Sequence, residues 1–115
     1  MSDKTRDEIW SEWQDKVNMT PKELEDWLET EESRSVGDTG GEGESTGHRS
    51  GRRIVEIKRR KKDDLSDDDW DHMAKVVGYV SRHCAQVPSR PEGSKWEYSL
   101  KNWGHDPLKT GGCAA

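Results

Sequence analysis

Trp70, Met73, Val77, Val80, Cys84 and Val87 recur at steps of 3, 4, 3, 4 and 3 residues, and only an α-helix brings residues so spaced onto one side. Ser66 ahead of Asp67, Asp68 and Asp69 gives that helix a start, because a hydroxyl caps an orphan N–H and carboxylates favour the positive end of the dipole. Pro88 gives it an end. A long amphipathic helix cannot bury its own apolar side, so the rest of the chain has to cover it.

Further helices are legible upstream. Residues 3–17 place Ile9, Trp10, Trp13 and Val17 at helical spacing. Thr20-Pro21-Lys22-Glu23 reads as a capping box with proline at the first helical position, opening a helix to about Glu31 whose apolar side is Leu24, Trp27 and Leu28. The two read as an αα-hairpin. A third helix is expected from a Ser50 cap to about Asp64. At about 100° per residue, Ile54, Ile57, Lys61 and Leu65 fall on one side of it, and Arg52, Glu56, Arg59 and Arg60 on the other.

Residues 37–47 hold five glycines and no core anchor, so a flexible loop is expected; the phosphate-gripping spacing G-x-x-x-x-G-K-[ST] is missing there. Trp96, Tyr98 and Leu100 alternate before Asn102-Trp103-Gly104, which reads as an extended aromatic arm or a short helical turn. The expected architecture is all-α. It is a small four-helix domain over residues 3–109, two helical pairs joined by the Gly-rich loop, with an aromatic C-terminal arm and a disordered tail at 110–115. Only 28% of the chain is apolar and 37% is charged, so the six tryptophans have to supply much of the core.

The net charge of −5 hides a strong pattern. Residues 1–47 carry −9, residues 48–62 carry +7, residues 63–72 carry −6 and the remainder carries +3. Arg49, Arg52, Arg53, Lys58, Arg59, Arg60, Lys61 and Lys62 are the candidate nucleic-acid contacts, since guanidinium forks bind phosphate oxygens and clustered cations release condensed counterions. Ser50 and Gly51, at the expected helix start, would add N–H groups for an anion. The competing account is a solvated helix face neutralised by the flanking acidic blocks. Without helix-turn-helix grammar, contact with DNA or RNA would go mainly to the backbone, with weak sequence specificity.

Other chemistry is weakly indicated. Cys84 and Cys113 stand 29 residues apart without C-x-x-C, so neither a disulfide framework nor a zinc knuckle is expected, a reducing compartment fits best, and Cys84 reads as a small core residue. His83 adjoins Cys84, with His72, His48 and His105 elsewhere, but H-x-x-x-H is missing and no metal or other cofactor is expected. Ser50 with His48 or His105 is the one conceivable nucleophile and base, and capping already explains Ser50, so no enzyme is expected. Capping likewise explains Ser66 better than acidic-directed phosphorylation does. With no long apolar run and no signal-peptide pattern, and with Cys113 third from the end where prenylation needs it fourth, no membrane association is expected. The expected location is cytoplasmic, nucleoid-associated, or nuclear in a eukaryote.

Four blocks also resemble a known family: V-N-M-T-P-K-E-L-E-D-W-L (17–28), G-E-S-T-G-H-R-S-G-R-R-I-V-E-I (43–57), L-S-D-D-D-W-D-H-M-A-K-V-V-G-Y-V (65–80) and Y-S-L-K-N-W-G-H-D-P-L-K (98–109). In this order they are similar to the domain of unknown function family 3140, small bacterial, haloarchaeal and fungal proteins. Members are often labelled DNA-binding, so the resemblance implies a DNA contact. The chain departs from the family pattern in its extra Lys and Arg at 58–62 and in its tail from Thr110 to Ala115. Together these readings give an expected function: a small non-enzymatic helical protein that contacts the phosphate backbone of DNA or RNA. The alternative is a protein-interaction adaptor whose basic run docks an acidic partner, or a stress-related structural protein with no nucleic-acid role.

Overall fold

The helices capped by Thr20 and Ser66 begin where those caps stand. The computed structural model describes residues 5–36 and 46–115. Among them are α1 (Arg6–Lys16), α2 (Pro21–Leu28), α3 (Glu31–Arg34), α4 (Thr46–Lys58), a 3₁₀ turn at Lys62–Asp64, α5 (Asp67–Cys84) and α6 (Lys95–Asn102), with no strand. The Thr20 and Ser66 capping boxes both form: each hydroxyl accepts from the backbone N–H three residues on, and the Glu23 or Asp69 carboxylate accepts in return from the cap residue's N–H.

The fold is all-α as expected, but the described residues hold six helices where four were expected. Helix two stops at Leu28 because Thr30 caps a new short helix, its hydroxyl donating to the Trp27 carbonyl and accepting from the Ser33 N–H. The C-terminal aromatic stretch is helical. Ser94 caps it through the Glu97 N–H, and Gly104, at φ +81°, closes it in a Schellman arrangement, with the His105 N–H on the Leu100 carbonyl and the Gly104 N–H on the Lys101 carbonyl. An added Cβ at Gly104 would lie 2.9 Å from Val17 Cγ1, so this turn needs glycine for space as well as for backbone conformation.

α1 packs chiefly against α5, and α2 against α4, while α6 touches α2, α3, α4 and α5. Ile54, Met73, Val76, Val80, Leu24 and Leu100 are fully buried at the centre. Val87, the last member of the apolar series, lies beyond the end of α5 and is exposed. The expected loop at 37–47 lies mostly outside the described residues; Thr46 and Gly47 belong to α4.

Asn102 joins three of these helices. Its Oδ1 accepts from Trp27 Nε1 at 2.7 Å and from the Ser33 hydroxyl at 2.5 Å, and its Nδ2 donates to the Ser33 carbonyl at 3.0 Å. All of this happens at a residue only 1% exposed. Beyond it, the chain turns back along the α1–α2 corner. Asn18 and Asp106 exchange two hydrogen bonds, and Lys109 Nζ donates to the Asn18 carbonyl and to Glu23. Residues 110–115, expected as a disordered tail, continue this return, with the Ala114 N–H on the Pro107 carbonyl at 2.8 Å.

This return brings Cys113 to Cys84, and the two form a disulfide with Cα atoms 5.7 Å apart. The expectation of two unlinked cysteines is therefore corrected. A separation of 29 residues gives no local signal, and the pairing depends on the Gly104 turn and the Asn18 clamp.

Asn102→Ala should lower the unfolding free energy by about 3 kcal/mol, because it strands the Trp27 and Ser33 donors inside the core and opens a small cavity. Urea denaturation followed by far-ultraviolet circular dichroism measures this, and a loss under about 1 kcal/mol would show that Asn102 does not tie the three helices together.

Candidate functional site

The side assignment of the basic helix holds within α4, where Ile54 and Ile57 are buried and Arg52 and Glu56 exposed, but the helix ends at Lys58 rather than near Asp64, so Lys61, which is exposed, and Leu65 lie beyond it. The start of that helix is corrected. α4 begins at Thr46, which places Ser50 and Gly51 a full turn inside it, where their N–H groups are not those of a helix N-terminus. Both are buried. An added Cβ on Gly51 would stand 2.6 Å from the Asn102 carbonyl oxygen and 2.7 Å from Leu28 Cδ2, so at Gly51 α4 lies too close to α6 and α2 for any side chain. Ser50 Oγ hydrogen-bonds His72 Nε2 on α5 at 2.9 Å, a partner not foreseen from sequence. His48, considered with Ser50, instead donates from Nε2 to the Leu28 carbonyl at 2.6 Å and so caps the end of α2.

The basic residues divide by neighbour. Lys58 turns inward and donates to the Val17 carbonyl at 3.2 Å, and burial pushes its ammonium pKa down. Arg59, just past α4, pairs with Glu25 of α2. Lys62 lies 5.2 Å over the Trp10 ring and 3.8 Å from Asp7, while Lys61 is exposed. Arg53 and Arg60 converge on one carboxylate, with Arg53 Nη2 3.3 Å from Asp69 Oδ1 and Arg60 Nη1 2.7 Å from Asp69 Oδ2. The run is therefore woven into α1, α2 and α5 at several points.

Asp69 is central to this arrangement. Its side chain is 3% exposed, and burial alone would push its pKa up. The Ser66 N–H, the Ser66 hydroxyl, Arg53 and Arg60 outweigh burial and hold the carboxyl below the ordinary range. One carboxylate thus completes the cap of α5 and fixes two arginines of the α4 region.

Arg49, Arg52, Arg53 and Arg60 line one cleft of about 460 Å³, together with Glu56, Ser66, Asp68 and Asp69. A second cleft, about 520 Å³, lies across the Arg52–Glu56 ridge, lined by Glu25, Glu29, Arg34 and Arg59 over Leu28 and Val55. Of the eight predicted contacts, four therefore share one cleft and Arg59 belongs to the other. Lys58, Lys61 and Lys62 line neither.

A model of the family described as "Protein of unknown function (DUF3140)" matches residues 12–101. The chain belongs to the DUF3140 family. The matched span takes in α4, Ser66, Asp69 and His72, and ends before Asn102, His105 and Cys113. No curated protein and no solved structure matches the chain. DUF3140 membership names no ligand, and among the described residues no helix is long and apolar enough to cross a membrane.

His72, the partner of Ser50, begins a column of rings: His72 stacks on Trp103, Trp103 on Tyr79 at 4.2 Å, and Tyr79 on His83 at 4.1 Å. Burial is the first cause holding His72, His83 and His105 below the ordinary imidazole value. An imidazole with a depressed folded pKa takes its proton more readily in the unfolded chain. Its stabilisation is complete above the unfolded value of about 6.5 and is lost as pH falls through the folded values. Asp69, and Glu23 with its Lys109 partner, are also depressed and act in the same direction at lower pH. The melting temperature should therefore be level near neutrality, decline below about pH 6.5 and decline again below about pH 4. Melts at constant ionic strength test this; a level profile from neutrality to about pH 5 would contradict the buried imidazoles.

Proposed function

We propose that the protein binds the phosphate backbone of DNA or RNA through the cleft where α4 meets the start of α5. The observation that carries this reading is that Arg49, Arg52, Arg53 and Arg60 line one cleft while a single buried carboxylate orients two of them. A guanidinium has five N–H donors in a rigid fork. Asp69 engages one Nη of Arg53 and one of Arg60, so each fork keeps donor capacity for phosphate oxygens and has less rotamer freedom to lose on binding.

The surroundings limit how strong such a contact is. Glu56 and Asp68 line the same cleft, so few phosphates are engaged, few counterions are released and binding weakens only moderately with salt. Arginines directed at phosphates position the duplex without reading bases, which gives weak sequence specificity. A binding role is supported by the burial of Ser50, which is bonded to His72 and only 5% exposed and is therefore poorly placed to act as a nucleophile.

A second reading is a protein partner at the neighbouring cleft. Arg34, Arg52 and Arg59 balance Glu25, Glu29 and Glu56 there over an apolar floor of Leu28 and Val55, a mixture that suits a complementary protein surface better than a polyanion.

Fluorescence anisotropy with labelled random duplex and single-stranded DNA, titrated across potassium chloride concentrations, tests the proposal. The logarithmic salt slope should be about −2 to −4, and Arg49→Ala with Arg52→Ala should weaken binding at least about tenfold. Arg59→Ala should change it less than about twofold. No binding at low salt would dismiss the nucleic-acid reading in favour of the protein partner.

A further inference from the structure

His105 is 2% exposed and sits with Cys84 and Cys113, the reactive atoms of all three lying within 4.8 Å of one another. Its orientation is fixed from behind. Nδ1 is 2.6 Å from the Lys16 carbonyl at the end of α1, and a carbonyl only accepts, so Nδ1 carries the proton and Nε2 the lone pair. That lone pair faces the sulfurs: Nε2 is 3.6 Å from Cys84 Sγ and accepts from the Cys113 N–H at 3.3 Å. An imidazole held by a backbone carbonyl, with its other nitrogen directed at two cysteines, is how histidine ligands of soft and borderline metal ions are held.

We propose that, when Cys84 and Cys113 are reduced, they and His105 Nε2 form a three-ligand site for zinc, which the disulfide closes on oxidation. In a tetrahedral zinc site, with bonds of about 2.3 Å to sulfur and 2.0 Å to nitrogen, neighbouring ligand atoms stand roughly 3.5 to 3.8 Å apart. Cys84 Sγ and His105 Nε2 already have that spacing. The sulfurs have to part to it, and Cys113 has to withdraw its N–H from Nε2. Both movements belong to the last turn of the chain.

Two thiolates also neutralise a divalent cation, which matters beside a buried imidazole, and the half-buried cysteines leave the fourth position toward solvent for a water. The chemistry balances. A dithiol reductant delivers two electrons and two protons to the Cys84–Cys113 bond, its own sulfurs becoming a disulfide, and zinc then displaces two protons from the resulting thiols to solvent. His105 and Cys113 lie beyond the residues that the family match spans, so the site is not read from that match.

Cobalt(II) serves as the spectroscopic probe. The full chain, reduced with a phosphine and desalted without oxygen, should bind one Co²⁺ with a thiolate charge-transfer band and tetrahedral visible bands, which Zn²⁺ then abolishes. The oxidised chain should show neither. Cys113→Ser should halve the charge-transfer intensity and weaken binding at least about tenfold. Circular dichroism accompanies each sample. A reduced, helical chain without the band overturns the proposal, as does Cys113→Ser binding like the unsubstituted chain, or an oxidised chain that binds equally. If reduction alone abolishes the helical signal, recovery on adding Zn²⁺ supports the site and failure to recover overturns it.

Discussion

A carboxylate cannot be buried as an anion unless the protein around it replaces the water it loses, and Asp69 is buried where its neighbours do so. The replacement comes from Ser66 within its own helix and from Arg53 and Arg60 across the interface. The N-terminus of α5 is thereby fixed to the region that ends α4, and α1, which packs on α5, joins the same frame. The direction of the arginine face follows from this single contact, since two of its members are oriented by it.

The frame also shows why charge blocks along a sequence are a poor guide to the charge of a surface. Residues 48–62 carry +7, yet Arg59 is met by Glu25, Arg53 and Arg60 by Asp69, and Lys62 by Asp7. The acidic blocks on either side supply the partners. The cleft between α4 and α5 is accordingly mixed, with the Glu56, Asp68 and Asp69 carboxylates set among four guanidinium groups.

Much of the fold was legible because it rests on local rules. The apolar series from Trp70 and the caps at Thr20 and Ser66 depend only on residues within a few positions, and each specified its helix start. α6 was legible only as a short helical turn set beside an extended arm, because Trp96, Tyr98 and Leu100 alternate, although Ser94 three residues before Glu97 and Gly104 at the far end are start and stop signals. At the site, about 100° per residue correctly turned Arg52 and Glu56 outward. It could not reveal that Lys58 reaches Val17, that Ser50 meets His72 or that Gly51 abuts Asn102, because these contacts join residues far apart in the chain.

The Cys84–Cys113 linkage has a consequence for the unfolded chain as well. Closing a loop of 29 residues removes conformational freedom from that ensemble, on the order of 3 to 4 kcal/mol in the chain-entropy treatment. For a domain whose total stability is about 5 to 15 kcal/mol, that is a substantial share. The closed loop contains the whole of α6, and with it Asn102. A covalent bond at the end of α5 therefore acts as a tether that keeps the last helix near its partners before any of their contacts have formed. The distant ends of that loop make the final segment a participant in folding, even though it adds no apolar side chain larger than an alanine after Leu108 apart from the cysteine itself.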